Sequence, residues 1–440
     1  MGRSLVRDVI VTGASLLGAP QTSFAVSRGV FIPTEDASAD ALTIDAEGHI
    51  ALPGLVDLHT HLRQPGMEEA ETVLTGSQAA ALGGFTAVHA MANTTPTTDS
   101  PEHLNQVWQW GKEARYVDVR PIGAVTEGLA GRRPTDIVAM AQSPAAPRVF
   151  SDDGHCVENP ELMREALRLA ASVDAVIAQH SQDPRLTVGS QMNAGALSEK
   201  LGLSGWPGVA EESIIARDVL LAESVSGHLH VCHLSTAGSV EVVAWAKKRG
   251  ISVTAEVTPH HLLLTEDFIA DSNPLFKVNP PLRTREDTLA LRAAVASGVI
   301  DIIATDHAPH PAGAKSGDFV SAAFGMLGLE TALGVVLKTL VHPGLISYEQ
   351  VARIMSSTPA RIGRLAGYDL PFQPGRPAHF TLVDPSAAAP EPSGSLSSNN
   401  PFAGWELPGR VSHTFYGGHQ TVADGRLVAR DQLHQEKAPA

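Results

Sequence analysis

From residue 54 onward the sequence repeats one pattern: a short apolar run ending in polar residues, then an amphipathic stretch. Eight such runs can be counted: "GLVDLHTH", "FTAVHAMAN", "YVDVRPIGA", "RVFSDD", "DAVIAQH", "HLHVCHLS", "ISVTAEVT" and "VIDIIATDH". Between them lie segments such as "ENPELMREALRLAASV", "EESIIARDVLLAES" and "STAGSVEVVAWAKKRG". In the first of these, Leu162, Ala166, Leu167, Leu169 and Ala170 recur at helical spacing and form one apolar face. Short strands alternating with helices require parallel pairing through crossovers. This predicts an α/β fold, a (β/α)8 TIM-type barrel over residues 54–365. A doubly wound open sheet is the alternative that the same alternation permits.

The flanks follow a different rule. Residues 1–53 hold short alternating runs broken by glycine, "SLVRDVIVTGA", "FAVSRGVFI" and "ALTIDAEGHIALPG". Residues 366–440 hold "HFTLVDP" and "RVSHTFYGGHQTVADGRLVAR" among many Pro, Ser and Gly. Neither flank alone can bury a core, so both are expected to meet in one small composite β-domain built from the two termini. The segment "DPSAAAPEPSGSLSSNNP" is expected to be a loop, either loose or ordered by what it touches.

Composition narrows the partners. With 43% hydrophobic and 18% charged residues, a chain of 440 can build a large core. A net charge of −15 and the lack of a Lys/Arg cluster interleaved with aromatics argue against a nucleic-acid partner. Two cysteines, Cys156 and Cys232, make no disulfide framework and are expected to be buried thiols in a reducing compartment. The opening "MGRSLVRDVIVTGASLLG" is interrupted by Asp8 and is expected to be structure rather than a signal peptide. Val6 stands where N-myristoylation needs Ser or Thr. No apolar run approaches the ~20 residues that span a bilayer, so no membrane association and a cytoplasmic location are expected.

In a barrel, functional side chains gather where strands end. His59 and His61 close the first run, Asn93 follows the second, and Asp152 and Asp153 follow the fourth. His180 ends the fifth, His233 the sixth, His260 and His261 follow the seventh, and Asp306 and His307 end the eighth. A single histidine in such a place is more often a hydrogen-bonded structural residue. The HxH pair is stronger, because residues i and i+2 of a strand point the same way and can reach one ion. The joint placement at one end of the strands points to a metal site. Imidazoles and carboxylates without a required thiolate suit Zn²⁺ or a similar divalent ion. Five or more ligands favour two ions, which would share a hydroxide of lowered pKa and polarise a carbonyl. Strand alternation is expected to turn Cys232 away from the site, and of the adjacent aspartates geometry says only that they face opposite ways.

Taken in series, "DLHTHLRQPG", "FSDDG", "HVCHLS", "TAEVTPHHLLL", "FKVNPPLR" and "ATDHAPH" resemble the class I dihydroorotases of the amidohydrolase superfamily. The likeness runs from about residue 48 to 365 and resumes more weakly in "GRPAHFTLVDP" and "NPFAGWELPGRV". The resemblance implies two divalent metal ions, zinc in the first instance, and the reversible cyclisation of N-carbamoyl-L-aspartate to dihydroorotate in pyrimidine biosynthesis. By motif, His59, His61 and Asp306 would hold one ion, His180 and His233 the other, and Asp153 would bridge them. Asp306 would be the catalytic acid and base. His61, Arg63, Asn93, Asn279, His310 and the backbone of Phe324 and Gly325 would contact substrate, with Arg63, Asn93 and His310 on its carboxylate. His260 and His261 would serve packing or support ligands from outside. A homodimer and association with aspartate transcarbamoylase are further implied.

Three departures from the family pattern stand out. Gln64 replaces the usual Glu, Ala92 a common Pro, and Ala323 the proline before Phe-Gly. If strand geometry continues, Gln64 points away from the metals. Hydantoinases, dihydropyrimidinases and allantoinases, the rival reading, typically bridge their metals with a carboxylated lysine. Here the one lysine between His61 and His180 is Lys112, in a helix-like stretch, so a carboxylate must bridge instead. A non-catalytic homologue acting as a scaffold would be expected to have lost ligands, and all six positions are present. The stretch "HPAGAKSGDFVSAAFG" is expected either to order over substrate or to be a plain mobile loop.

Overall fold

The computed structural model describes residues 7–368 and 371–435. The opening residues 1–6, including Val6, and the C-terminal residues 436–440 lie outside the described residues.

Each of the eight apolar runs contains a strand. Leu55–Thr60, Phe85–Ala90 and Asp118–Pro121 pair in parallel as a three-stranded sheet. Val149–Phe150, Val176–Gln179, Leu229–Val231, Val253–Val257 and Ile302–Ile303 form a parallel five-stranded sheet. Two isolated parallel bridges, Gly123 to Phe150 and Thr60 to His307, link the edges of these sheets. The architecture is thus mixed α/β with several parallel sheets, as the alternation requires.

The connections are helical where the sequence is amphipathic. Pro160–Ser172 starts at Asn159, whose side-chain oxygen accepts from the amides of Glu161 (2.9 Å) and Leu162 (3.4 Å), with Pro160 at the first helical position. Its buried face is Met163, Ala166, Leu167 and Ala170. This corrects the expected stripe: Leu162 and Leu169 are half-buried at its margin, because Met163 at the i−3 position takes the central line. Val209–Val225 and Ala237–Lys248 are the helices of the other two segments.

A nine-stranded sheet joins the two chain ends. Ile50–Pro53 pairs antiparallel with Phe380–Ala388, which lies beside Pro408–Tyr416, while Val9–Leu16 and Gln21–Ser27 extend the other side. Beneath it, Val11, Phe24, Phe31, Phe380, Leu382 and Phe415 belong to a cluster separate from the main core. The Phe380 and Phe415 rings stack at 4.4 Å. The short parallel pair Met192–Asn193 and Gly205–Trp206 is an addition that periodicity does not foretell. Among the described residues no helix is long and apolar enough to cross a membrane.

Candidate metal centre and substrate site

The ends of the parallel strands bring six side chains to one place. His59 lies in Leu55–Thr60 and His61 just beyond it; Asp153, His180, His233 and Asp306 follow the fourth, fifth, sixth and eighth strands. All six are buried. One oxygen of Asp153 stands 3.3 Å from His59 Nε2 and 3.4 Å from His61 Nε2. The other stands 3.2 Å from His180 Nδ1 and 3.4 Å from His233 Nε2. Asp306 Oδ1 lies 3.0 Å from His61 Nε2 and 3.4 Å from His59 Nε2. The neighbouring Asp152 faces elsewhere, accepting from the amides of Val125 and Thr126 at 2.8 and 2.9 Å.

The tautomers show what this cluster lacks. His59 Nδ1 is 2.6 Å from Glu256 Oε1, His61 Nδ1 is 2.9 Å from Asn93 Oδ1, and His180 Nε2 is 2.8 Å from Gln182 Oε1. Each of these partners is an oxygen acceptor, so each facing nitrogen carries the proton and the opposite nitrogen presents a lone pair inward. Those of His59 and His61 meet carboxylates, while His180 Nδ1 meets Asp153 at 3.2 Å and lies 2.9 Å from His233 Nε2. His59 Nε2 makes no hydrogen bond among the described residues. Acceptors pointed at acceptors in a buried space need a positive charge between them, and the donor set fits divalent cations. The carboxylates around His59 favour positive charge here, whether carried by a cation or by the imidazole itself. Burial alone would lower the His59 imidazole, yet Asp153, Glu256 and Asp306 outweigh it and hold it well above its ordinary value. Burial would raise the Asp306 carboxyl, but His59 and His61 bring it down to about 2.

A ring of supporting groups fixes the ligands. Glu256 Oε1 also accepts from the His233 amide at 3.2 Å, and its Oε2 from His230 Nε2 at 2.9 Å. Asp57 accepts from the amides of His59 (3.0 Å) and Thr305 (3.1 Å). Sequence reasoning missed Glu256, although a glutamate inside the apolar "TAEVT" was a signal for a buried charge needing a partner. Cys232 is buried with its sulfur beside His59 and Glu256, past Val231 where its strand ends and alternation no longer assigns a face. Burial pushes its thiol well up.

The expected substrate contacts surround this cluster. Arg63, in a left-handed conformation at φ +60°, is buried and donates from Nε to the Pro309 carbonyl at 3.0 Å. His310 donates from Nε2 to the Phe324 carbonyl at 2.7 Å and is lowered to about 4 by burial and by Arg63. Asn279 donates to Gln182 Oε1 at 3.1 Å while its own buried Oδ1 makes no hydrogen bond. The Gly325 amide donates to the Lys277 carbonyl at 3.0 Å, so the Phe324–Gly325 backbone is bonded within the protein. Within the 310–325 loop, Lys315 is buried and donates to the carbonyls of Lys277 (2.8 Å) and Ala323 (3.0 Å). His261 is held by Thr258 Oγ1 and the Pro280 carbonyl, a packing role, whereas His260 Nε2 is buried without a hydrogen bond. Gln64 does not join the cluster. Its Oε1 accepts from the Val73 amide at 2.9 Å and so covers the start of helix Val73–Leu82.

A family model described as Dihydro-orotase-like matches residues 48–239. The dihydroorotase of Leifsonia xyli subsp. xyli is 56% identical over 424 residues, covering 95% of this chain and 97% of that protein. The dihydroorotase of Streptomyces coelicolor is 53% identical over 433 residues, covering 97% of this chain and all 100% of that protein. Among solved structures, the L-hydantoinase (dihydropyrimidinase) from Arthrobacter aurescens shares the fold, with a TM-score of 0.84 over 96% of this chain and 98% of its own at 24% identity. Parallel strands that end in a buried imidazole–carboxylate cluster, on a fold shared with such hydrolases, define a cyclic amidohydrolase. Within that class, the chain belongs to the dihydroorotase family.

Proposed function

We propose that this protein catalyses the reversible cyclisation of N-carbamoyl-L-aspartate to (S)-dihydroorotate and water, the ring-closing step of pyrimidine biosynthesis. The observation that carries the reading is Asp153, whose two oxygens each face a different pair of imidazoles. His59, His61 and Asp306 would hold one divalent cation, His180 and His233 a second, with Asp153 spanning both and zinc as the metal. When bound, such ions polarise an amide carbonyl and make water acidic near neutral pH.

Asp306 is the proton carrier. The imidazoles around it keep its carboxyl low, so it is ionised at neutral pH and able to accept a proton. In ring opening it takes the proton of the attacking water and delivers it to the departing ring nitrogen. In ring closure it takes the proton from the carbamoyl nitrogen and returns it to the departing water. Arg63, Asn93 and His310 hold the substrate carboxylate, Arg63 through its planar fork. His310 already gives its Nε2 proton to Phe324, so it meets a carboxylate through Nδ1 as imidazolium, a form the arriving negative charge favours. Asn279, with an unpaired oxygen, would face one ring amide, and the Phe324 and Gly325 carbonyls, each already accepting one hydrogen bond, keep a second lone pair for another.

The same reading places the reaction in a closed (β/α)8 barrel of residues 54–365, supported by the two bridges that link the parallel sheets. Residues 1–53 and 366–440 then form the composite β-domain, supported by the nine-stranded sheet they share. A cytoplasmic homodimer, with association to aspartate transcarbamoylase, completes the proposal. The test is elemental analysis of the purified protein together with ring opening of dihydroorotate beside hydantoin, dihydrouracil and allantoin. About two metals per chain and turnover of dihydroorotate alone are expected. Turnover of another ring in its place would overturn the substrate, and a folded protein without metal or activity would make it a scaffold.

A further inference from the structure

The segment 393–402, rich in Ser and Asn and free of regular structure, is tied down by buried polar groups. The amides of Ser393 and Gly394 donate to Glu330, Ser395 Oγ and the Leu396 amide to Glu71, and Ser397 Oγ to the Ala70 carbonyl. At its centre Asn399 is 3% exposed and does something different. Its Nδ2 donates to the carbonyls of Ala308 (2.9 Å) and Gly325 (3.2 Å), and its Oδ1 accepts from the His310 amide (3.1 Å). Its own carbonyl accepts from the Leu327 amide at 3.1 Å. One carboxamide therefore joins the two strips of chain, 308–310 and 325–327, that carry the expected substrate contacts.

Those strips approach closely. A Cβ on Gly325 would stand 2.8 Å from Ala308 Cβ and 2.9 Å from His310 Nε2. The His310 ring crosses the gap to the Phe324 carbonyl. Two carbonyls on one side of the amide and one N–H on the other fix its orientation and explain the residue type. Aspartate would set oxygens against two carbonyls, and glutamine would be one methylene too long.

We infer that Asn399 is a positioning residue for substrate binding, setting the His310 imidazole and the Phe324–Gly325 backbone at the distance that the substrate requires. The inference rests on the dihydroorotase reading above. Asn399 touches no reacting atom, so its loss weakens binding of substrate and transition state alike.

The test compares the full-length wild type with Asn399→Asp, Asn399→Ala, His310→Ala and the double variant His310→Ala/Asn399→Asp. Metal content and Tm are recorded beside KM and kcat for dihydroorotate. Both Asn399 variants are expected to keep their metal and to raise KM about tenfold, with kcat within about threefold. In the His310→Ala background, Asn399→Asp should cost clearly less than in the wild type, because one of the two groups it sets, the His310 ring, is already gone while the Phe324–Gly325 backbone remains. KM unchanged in both variants, or a full additional loss in the double variant, overturns the inference. Failure of both variants to fold or to hold metal also overturns it, assigning Asn399 to the fold. A wild type without dihydroorotate turnover overturns the functional reading, and this inference with it; an active wild type beside unaffected variants overturns this inference alone.

Discussion

His59 and His379 are enclosed by the same protein and driven in opposite directions. His379 sits in the region joining the chain ends, with its ring 4.7 Å from that of Tyr368 and 5.4 Å from that of Tyr416, and burial lowers it to about 4. His59 is buried more deeply, yet three carboxylates hold it well above its ordinary value. The contrast extends to the regions around them. The sheet of the chain ends is filled by phenylalanines and aliphatic groups that gain by leaving water. The strand ends instead concentrate imidazoles and carboxylates with lone pairs converging, an arrangement that opposes folding unless positive charge enters it. Burial by itself marks a core. Burial of opposed acceptors marks a site.

That comparison can be broken or sharpened by substitution. The largest effect is expected from Asp306→Asn, which keeps the shape and removes the base: kcat should fall by about 10²- to 10⁴-fold while thermal unfolding stays close to wild type. A parallel collapse of stability would mean that Asp306 belongs to the core. Phe380→Ala, in the sheet of the chain ends, should do the reverse. About 3–5 kcal/mol of stability should be lost in denaturant titration, with kcat/KM of the folded fraction unchanged. Glu256→Gln removes the charge that orients His59 and should weaken metal binding about 10- to 100-fold in equilibrium dialysis.

Smaller effects follow from pH. His379 and His228 are each held at about 4 in the folded protein, burial being the main cause. Unfolded, such imidazoles take up a proton near ~6.5. Between those two values the unfolded chain binds more protons, so stability should fall as pH drops from about 6.5 toward 4. Chemical denaturation at both ends of that window measures the loss. His379→Gln should flatten it by about 1 kcal/mol, and an unchanged slope would mean that His379 protonates readily in the fold. The smallest change is Gln64→Glu. It places a negative charge at the start of helix Val73–Leu82, so a gain of about 0.3–1 kcal/mol is expected in a melting curve, with kcat unaffected. A large change in kcat would put residue 64 back in the site.

Much of the site was legible because it obeys local rules. Strand ends recur with the alternation, so His59, His61, Asp152, Asp153, His180, His233, His260, His261 and Asp306 could be found as candidates from their places in apolar runs, and the resemblance to dihydroorotases selected Asp153 and set aside His260 and His261. The structure then brought His59, His61, Asp153, His180, His233 and Asp306 together. Reading failed where local rules were interrupted. Cys232 lies beside His59 and Glu256, past the end of its strand, where alternation no longer assigns a face. The apolar face of Pro160–Ser172 shifted to Met163, since helix rotation is set by what packs against it. Of the 384–401 segment read as a loop, residues 384–388 instead complete strand Phe380–Ala388; the rest is free of regular structure, yet its composition says nothing of what it touches.

The sequence by itself determined the order of strands and helices, the shared sheet of the chain ends as an expectation, and the candidate side chains at the strand ends, because periodicity is written into neighbouring residues. Only the tertiary structure decided how those side chains are held. Glu256 reaches His59 across 197 positions, and Asn399 reaches His310 across 89. Such pairs form between strands and loops that are distant in the chain. Their geometry follows from how helices and sheets pack, which no local pattern encodes.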